Sequence, residues 1–150
     1  MNLPAAPPRI VGAKLPLRPM HVWTIRMRLQ IERRLRDLAL FDIALDSKLR
    51  GCDVVSLRLA DIMAAGALRS RATVIQQKTG RPVQFEITET ARRSLSGWLE
   101  RRRGNLDGWL FPSRLNPTAH LSTRQYIRLV KQWDALIGLE PSAYGSLRRT

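Results

Sequence analysis

Apolar positions along the chain follow two rhythms, and the change between them divides it. From His21, residues Val22, Ile25, Met27 and Leu29 lie among arginines, and Leu35, Leu38, Asp42, Leu45 and Leu49 then recur at three-and-four spacing. This predicts one helix from Met20 to about Arg33 and another from about Leu35 to Lys48. Gly51 interrupts the pattern, and Val54, Val55, Leu57 and Leu59 predict a third helix from Asp53 to about Ala60. The period then shortens to two. Thr73 to Gln77 and Val83 to Ile87 are β-branched or alternating runs, and Gly80 between them supplies the positive φ of a tight turn. They predict an antiparallel hairpin, extended to three strands if Asp61 to Ala64 joins it. Thr88 caps a further helix whose face is Ala91, Leu95, Trp98 and Leu99 and whose stop is Gly104-Asn105. Ser122 and Gln125 form a capping-box pattern, with Leu121 and Tyr126 placed as a staple. A last helix is therefore expected from Thr123 to about Ile137, closed by Gly138 and barred by Pro141. The fold class is α+β, mostly helical with a small antiparallel sheet.

Residues Met1 to Pro19 carry five of the nine prolines, which deny the backbone donors and helical geometry. They read as an extended or disordered arm, and 20–150 as one domain. Composition adds a field. Lys and Arg number 26 against 12 Asp and Glu, a net charge of +14, so a polyanion is attracted before any specific contact forms. Arginine supplies 22 of the 26, as a GC-rich genome tends to produce. Cys52 is the single cysteine, which excludes an internal disulfide and a zinc site of paired thiolates and points to a reducing, cytoplasmic setting. No stretch reads as a signal peptide or a membrane span. His21 and His120 show no metal-ligand spacing, and the tryptophans, with Trp98 and Trp133 on the apolar faces of their helices, read as core.

Three segments carry more specific chemistry: Leu49-Arg50-Gly51-Cys52-Asp53-Val54-Val55-Ser56-Leu57, Gln77-Lys78-Thr79-Gly80-Arg81-Pro82, and Tyr144-Gly145-Ser146-Leu147-Arg148-Arg149-Thr150. Together they resemble the active-site boxes of the tyrosine recombinases, the phage integrase family, over about His21 to the last residue. The resemblance implies that Arg50 and Arg148 hold the non-bridging oxygens of one scissile phosphate, where guanidinium forks gain strength as transition-state charge builds. It implies that Lys78 on the hairpin protonates the departing 5′ hydroxyl, and that Asp53 orients Arg50. Arg81, Arg124 and Arg149 are the further positions expected against DNA. The partner is duplex DNA, with self-association or association with an intact recombinase beside it. The family's reaction forms a 3′ phosphotyrosyl bond and uses no metal or nucleotide cofactor.

The chain also departs from the pattern. Gly145 stands where the family's box has histidine, and the tyrosine nucleophile of the family lies downstream of the second arginine, whereas Tyr126 and Tyr144 lie upstream of Arg148. The expectation is a catalytic domain truncated before its closing helices, which binds DNA without cutting it. Two other readings share the charge: a regulatory DNA-binding module without chemistry, and an unrelated basic RNA-binding protein that prefers structured RNA.

Overall fold

The computed structural model describes residues 15–102, 108–140 and 147–149. The expected arm up to residue 14, the Gly104-Asn105 stop, Pro141, Tyr144, Gly145 and the side chain of Arg149 lie outside the described residues.

Helix α1 (Pro19–Ile31) starts on a proline, whose missing N–H costs nothing in the first turn. The segment ahead of it is not all arm, because Leu17 is buried in the core. Past the end of α1, Arg33 adopts a left-handed φ of 53°, and the Arg33 and Arg34 amides bond back to the Gln30 and Leu29 carbonyls. That is a Schellman closure with arginine in the place glycine usually takes.

Helix α2 (Leu35–Ser47) is the centre of the molecule. Leu38, Ala39, Leu40, Phe41, Ile43 and Ala44 are all buried, so apolar residues surround the helix and neighbours pack on every side. Helix α1, the fifth helix, the second hairpin and the turn at Leu147–Arg149 all contact it. Two aspartates are buried with it. Asp42 accepts from Arg26 at 2.8 Å, and Asp37 from Arg34 at 2.8 Å and Arg36 at 3.1 Å, as buried charge requires.

The third predicted helix is divided into α3 (Gly51–Val55) and α4 (Leu59–Ile62). The break has a tertiary cause: the Leu57 carbonyl accepts from Leu110 N–H at 2.8 Å, and Leu59 N–H donates to the Gly108 carbonyl at 3.1 Å. A returning segment thus takes backbone groups that a continuous helix would use. Asp61 to Ala64 does not add a strand to the main hairpin. Strands β1 (Met63–Ala64) and β2 (Ala67–Leu68) form their own antiparallel pair, because Ala65 and Gly66 both take positive φ and close a two-residue turn.

Strands β3 (Arg71–Ile75) and β4 (Pro82–Glu86) pair antiparallel from Arg71 opposite Glu86 to Ile75 opposite Pro82. Their alternation turns Ala72 and Phe85 into the core, the period-two pattern of a half-buried ribbon. Helix α5 (Glu89–Arg101) is capped by Thr88, whose hydroxyl accepts from Ala91 N–H, and lays Ala91, Ser94 and Leu95 inward. Helix α6 (Thr123–Leu136) is capped by Ser122 through Gln125 N–H and buries Tyr126, Leu129, Val130 and Trp133. Trp133 and Trp98 are structural: the first is 1% exposed, and the second donates to the Leu110 carbonyl at 2.8 Å. Trp23 is the exception, 61% exposed on α1.

Asp134, also on α6, is 1% exposed, its Oδ1 has no hydrogen-bond partner, and burial raises its pKa from 3.8 to about 6. Because the folded state keeps this proton to higher pH than the unfolded chain, the protein is most stable with Asp134 protonated, and stability falls as pH rises from about 4 through 6. Two pH units correspond to roughly 2–3 kcal/mol. Denaturant melts between these pH values should show that loss, and Asp134→Asn should remove most of it. A residual slope of the same sign is expected from Asp42, whose pKa burial raises and Arg26 pulls back. A wild-type stability that climbs over this window would contradict the assignment.

Candidate DNA-phosphate site

The first-arginine segment and the hairpin are far apart in sequence, and the fold ties them together. Arg50 is the residue at which the chain turns from α2 into α3. Its extended backbone (φ −62°, ψ 153°) offers its carbonyl to Asp53 and Val54 N–H. The guanidinium is half-buried and its Nη1 donates to Gln76 Oε1 at 3.2 Å. The carboxylate of Asp53, one turn later and 1% exposed, does not bond the Arg50 guanidinium. Its Oδ1 accepts the Gln77 backbone N–H at 3.0 Å, and its Oδ2 has no partner. Gln77 completes the tie by donating from Nε2 to Ser56 Oγ at 2.9 Å. Asp53 therefore positions the hairpin directly, and Arg50 is oriented by Gln76.

This tie fixes the base of the turn that carries Lys78. Gly80 has φ +67° and donates to the Gln76 carbonyl at 2.8 Å, while Gln76 N–H reaches the Arg81 carbonyl at 2.9 Å. Lys78 lies in the turn, as the alternating runs and Gly80 predict, and both Lys78 and Arg81 are exposed.

Helix α6 approaches from the other side. A Cβ added to Gly51 would lie 3.1 Å from the Tyr126 ring and 3.5 Å from the Thr123 methyl, so glycine lets the first turn of α6 pack beside Arg50. Arg124, exposed in that turn, joins the neighbourhood. Tyr126 itself is 4% exposed, and burial pushes its phenol far above the ordinary range. Arg148 is exposed on a 3₁₀ turn (Leu147–Arg149) held to α2 by buried Leu147. The structure thus brings Arg50, Asp53 and the Lys78 turn into one bonded unit with Arg124 beside it, and anchors Arg148 separately. Gln76, Gln77 and Ser56 are the positions sequence reasoning missed. Nothing local marks them, since their partners lie 21 to 26 residues away.

Cys52, Trp109 and His120 have structural roles. The Cys52 carbonyl accepts from Ser56 Oγ at 2.7 Å, and Trp109 lies between Arg58 over its face and His120 against its edge. Among the described residues no group of three metal-ligating side chains occurs, and no helix is long and apolar enough to cross a membrane.

Asp53→Ala is expected to free the hairpin base. A buried hydrogen bond to a carboxylate is worth about 1.5–3 kcal/mol, and the Gln77 amide should lose its exchange protection to a matching degree. Hydrogen exchange reads this residue by residue. Unchanged protection at Gln77 would mean the turn is held by its own backbone alone.

The profile of the Phage integrase family matches residues 24–150. No curated protein matches the sequence. Among solved structures, the XerA recombinase superimposes with a TM-score of 0.71 at 16% identity, over 95% of this chain and 50% of that one. The XerH site-specific recombinase bound to palindromic difH substrate gives 0.65 at 17% identity over 90% and 40%. The Tn1549 transposon integrase in complex with circular intermediate DNA gives 0.58 at 17% identity over 94% and 52%. At these identities the likeness is one of fold, and the chain spans about half or less of the chains it matches.

Proposed function

The chain belongs to the phage integrase family, and from that premise we propose that it is the phosphate-gripping part of a site-specific recombinase catalytic domain, acting in DNA recombination and integration. In this reading Arg50 and Arg148 are the two forks on one scissile phosphate. Lys78 is the acid for the departing 5′ hydroxyl, and Arg81, Arg124 and Arg149 contact the flanking backbone. The bonded unit of Arg50, Gln76, Asp53 and Gln77 carries the reading. It ties the Arg50 guanidinium to the base of the turn that carries Lys78, which supports pairing charge stabilisation with leaving-group protonation. The chemistry calls for neither metal nor nucleotide, and its setting is the cytoplasm. Self-association, or association with an intact recombinase, belongs to the same reading; exposed Met20, Trp23 and Ile31 along α1 support it.

Tyr126 is not the attacking group, because a phenol buried beneath Gly51 cannot reach a phosphate in line. Any adduct formed on nicked suicide duplexes should therefore persist in Tyr126→Phe. The one-phosphate arrangement is tested by a double-mutant cycle on duplex binding. Arg50→Ala and Arg148→Ala should each weaken binding about tenfold, and the double variant should lose clearly less than the product, because both forks serve one group. Strict additivity would mean that they grip different phosphates and would end this reading.

A further inference from the structure

At the other end of α2, about 20 Å along the helix from Arg50, the surface opens into a cavity of about 450 Å³ that the recombinase reading does not use. Arg33, Arg34, Arg36, Arg101 and Arg114 line it, with Asp37 the one carboxylate. Asp37 is already taken: its oxygens accept from Arg34, Arg36 and Trp133. Arg33, Arg101 and Arg114 have no ion-pair partner among the described residues. The Nη1 of Arg36 is buried with no hydrogen-bond partner. Trp98 and Leu129 are apolar residues lining the same cavity. Arg33 is also the residue forced into left-handed backbone where glycine would be easier.

With Arg34 and Arg36 engaged by Asp37, the three remaining guanidinium groups favour an anion in the cavity. The fork geometry of arginine matches the several oxygens of a phosphate, and an apolar side that includes Trp98 and Leu129 suits a ring beside it. We propose that this cavity is a second phosphate site, independent of Arg50, that takes a phosphate group joined to a flat ring. The ligand is a nucleotide, either free or within a nucleic acid.

Calorimetric titration of the chain with inorganic pyrophosphate and with ATP tests the site. Both should bind, ATP more tightly. Arg101→Ala with Arg114→Ala should lower both affinities tenfold or more, whereas the charge-matched pair Arg69→Ala with Arg71→Ala, exposed elsewhere, should change them less than twofold. Arg33→Gly is the second variant. It should bind both probes more weakly while melting at a temperature no lower than the wild type, since glycine suits the left-handed position. Displacement of ATP by excess 20-base-pair duplex identifies nucleic acid as the source of the phosphate, and retention of ATP identifies free nucleotide. Equal losses in the pocket pair and the charge-matched pair would reduce the cavity to general surface charge and overturn the proposal. So would probe binding that ignores Arg101 and Arg114.

Discussion

Duplex-DNA affinity should fall several hundredfold when salt is raised from about 50 to about 200 mM, because binding releases counterions with a log–log slope of about −0.9 for each phosphate neutralised. If Arg50 and Arg148 share one phosphate and Lys78, Arg81, Arg124 and Arg149 take one each, five are neutralised and the slope is near −4.5. Affinity at physiological salt should be modest and nearly indifferent to sequence, since these contacts are to the backbone. The sharing makes a finer forecast. Arg124→Ala should make the slope shallower by about 0.9, whereas Arg50→Ala should change it less, because Arg148 still neutralises the same phosphate. Fluorescence anisotropy across a salt series reads both quantities. An affinity that ignores salt would remove the electrostatic basis of the function, and tighter binding to structured RNA than to duplex would favour the RNA-binding reading.

Trp133→Ala should be the most damaging single core substitution, at about 3–5 kcal/mol. Trp133 is 1% exposed, meets Phe41 edge-on at 5.5 Å, and donates from Nε1 to Asp37 Oδ2 at 3.3 Å, joining α6 to α2 across 96 residues of sequence. Truncation leaves a cavity and removes a donor from a buried carboxylate in the same step. For a domain of this size a melting temperature lower by about 10–15 °C should follow. Trp133→Phe keeps an aromatic ring against Phe41 and gives up the bond, so its cost should be nearer 1–2 kcal/mol. The effect should reach the candidate site, because α6 brings Thr123 and Tyr126 against Gly51 beside Arg50. DNA affinity of the alanine variant should drop even at temperatures where it remains folded. Denaturation midpoints equal to the wild type would show that α6 is only loosely part of the core.

Much of the architecture was legible because it is written locally. Three-and-four spacing over Leu35 to Leu49, the Thr88 and Ser122 caps, and Gly80 between alternating runs each set a backbone preference within a few residues, and α2, α5, α6 and the β3–β4 hairpin appear at the expected places. The candidate positions were legible for another reason: arginine, lysine and aspartate stood in an order that chance and arginine-rich composition do not readily supply. One reading failed for a non-local cause, and another for a local turn that its residue types do not announce. The segment after Asp53 has the apolar content of one helix, and only the return of Gly108 to Leu110 decides that it breaks at Ser56 to Arg58. Met63 to Leu68 pairs with itself because two successive positive φ values close its turn, and Ala65 gives no sign of this in sequence.

By itself, then, the sequence nominated the candidate residues for handling a phosphate, because residue type and local spacing are properties of short segments. Tertiary structure alone decided what holds those residues. Asp53 reads as a partner for the nearby Arg50, yet its oxygen goes to the Gln77 amide 24 residues on, and Arg50 goes to Gln76. The arginines around the far end of α2 likewise come from three separate stretches of chain, and their shared cavity exists only once α1, α2, α5 and α6 have packed. Side-chain pairing across such distances is set by the packing of whole elements, to which no window of sequence has access.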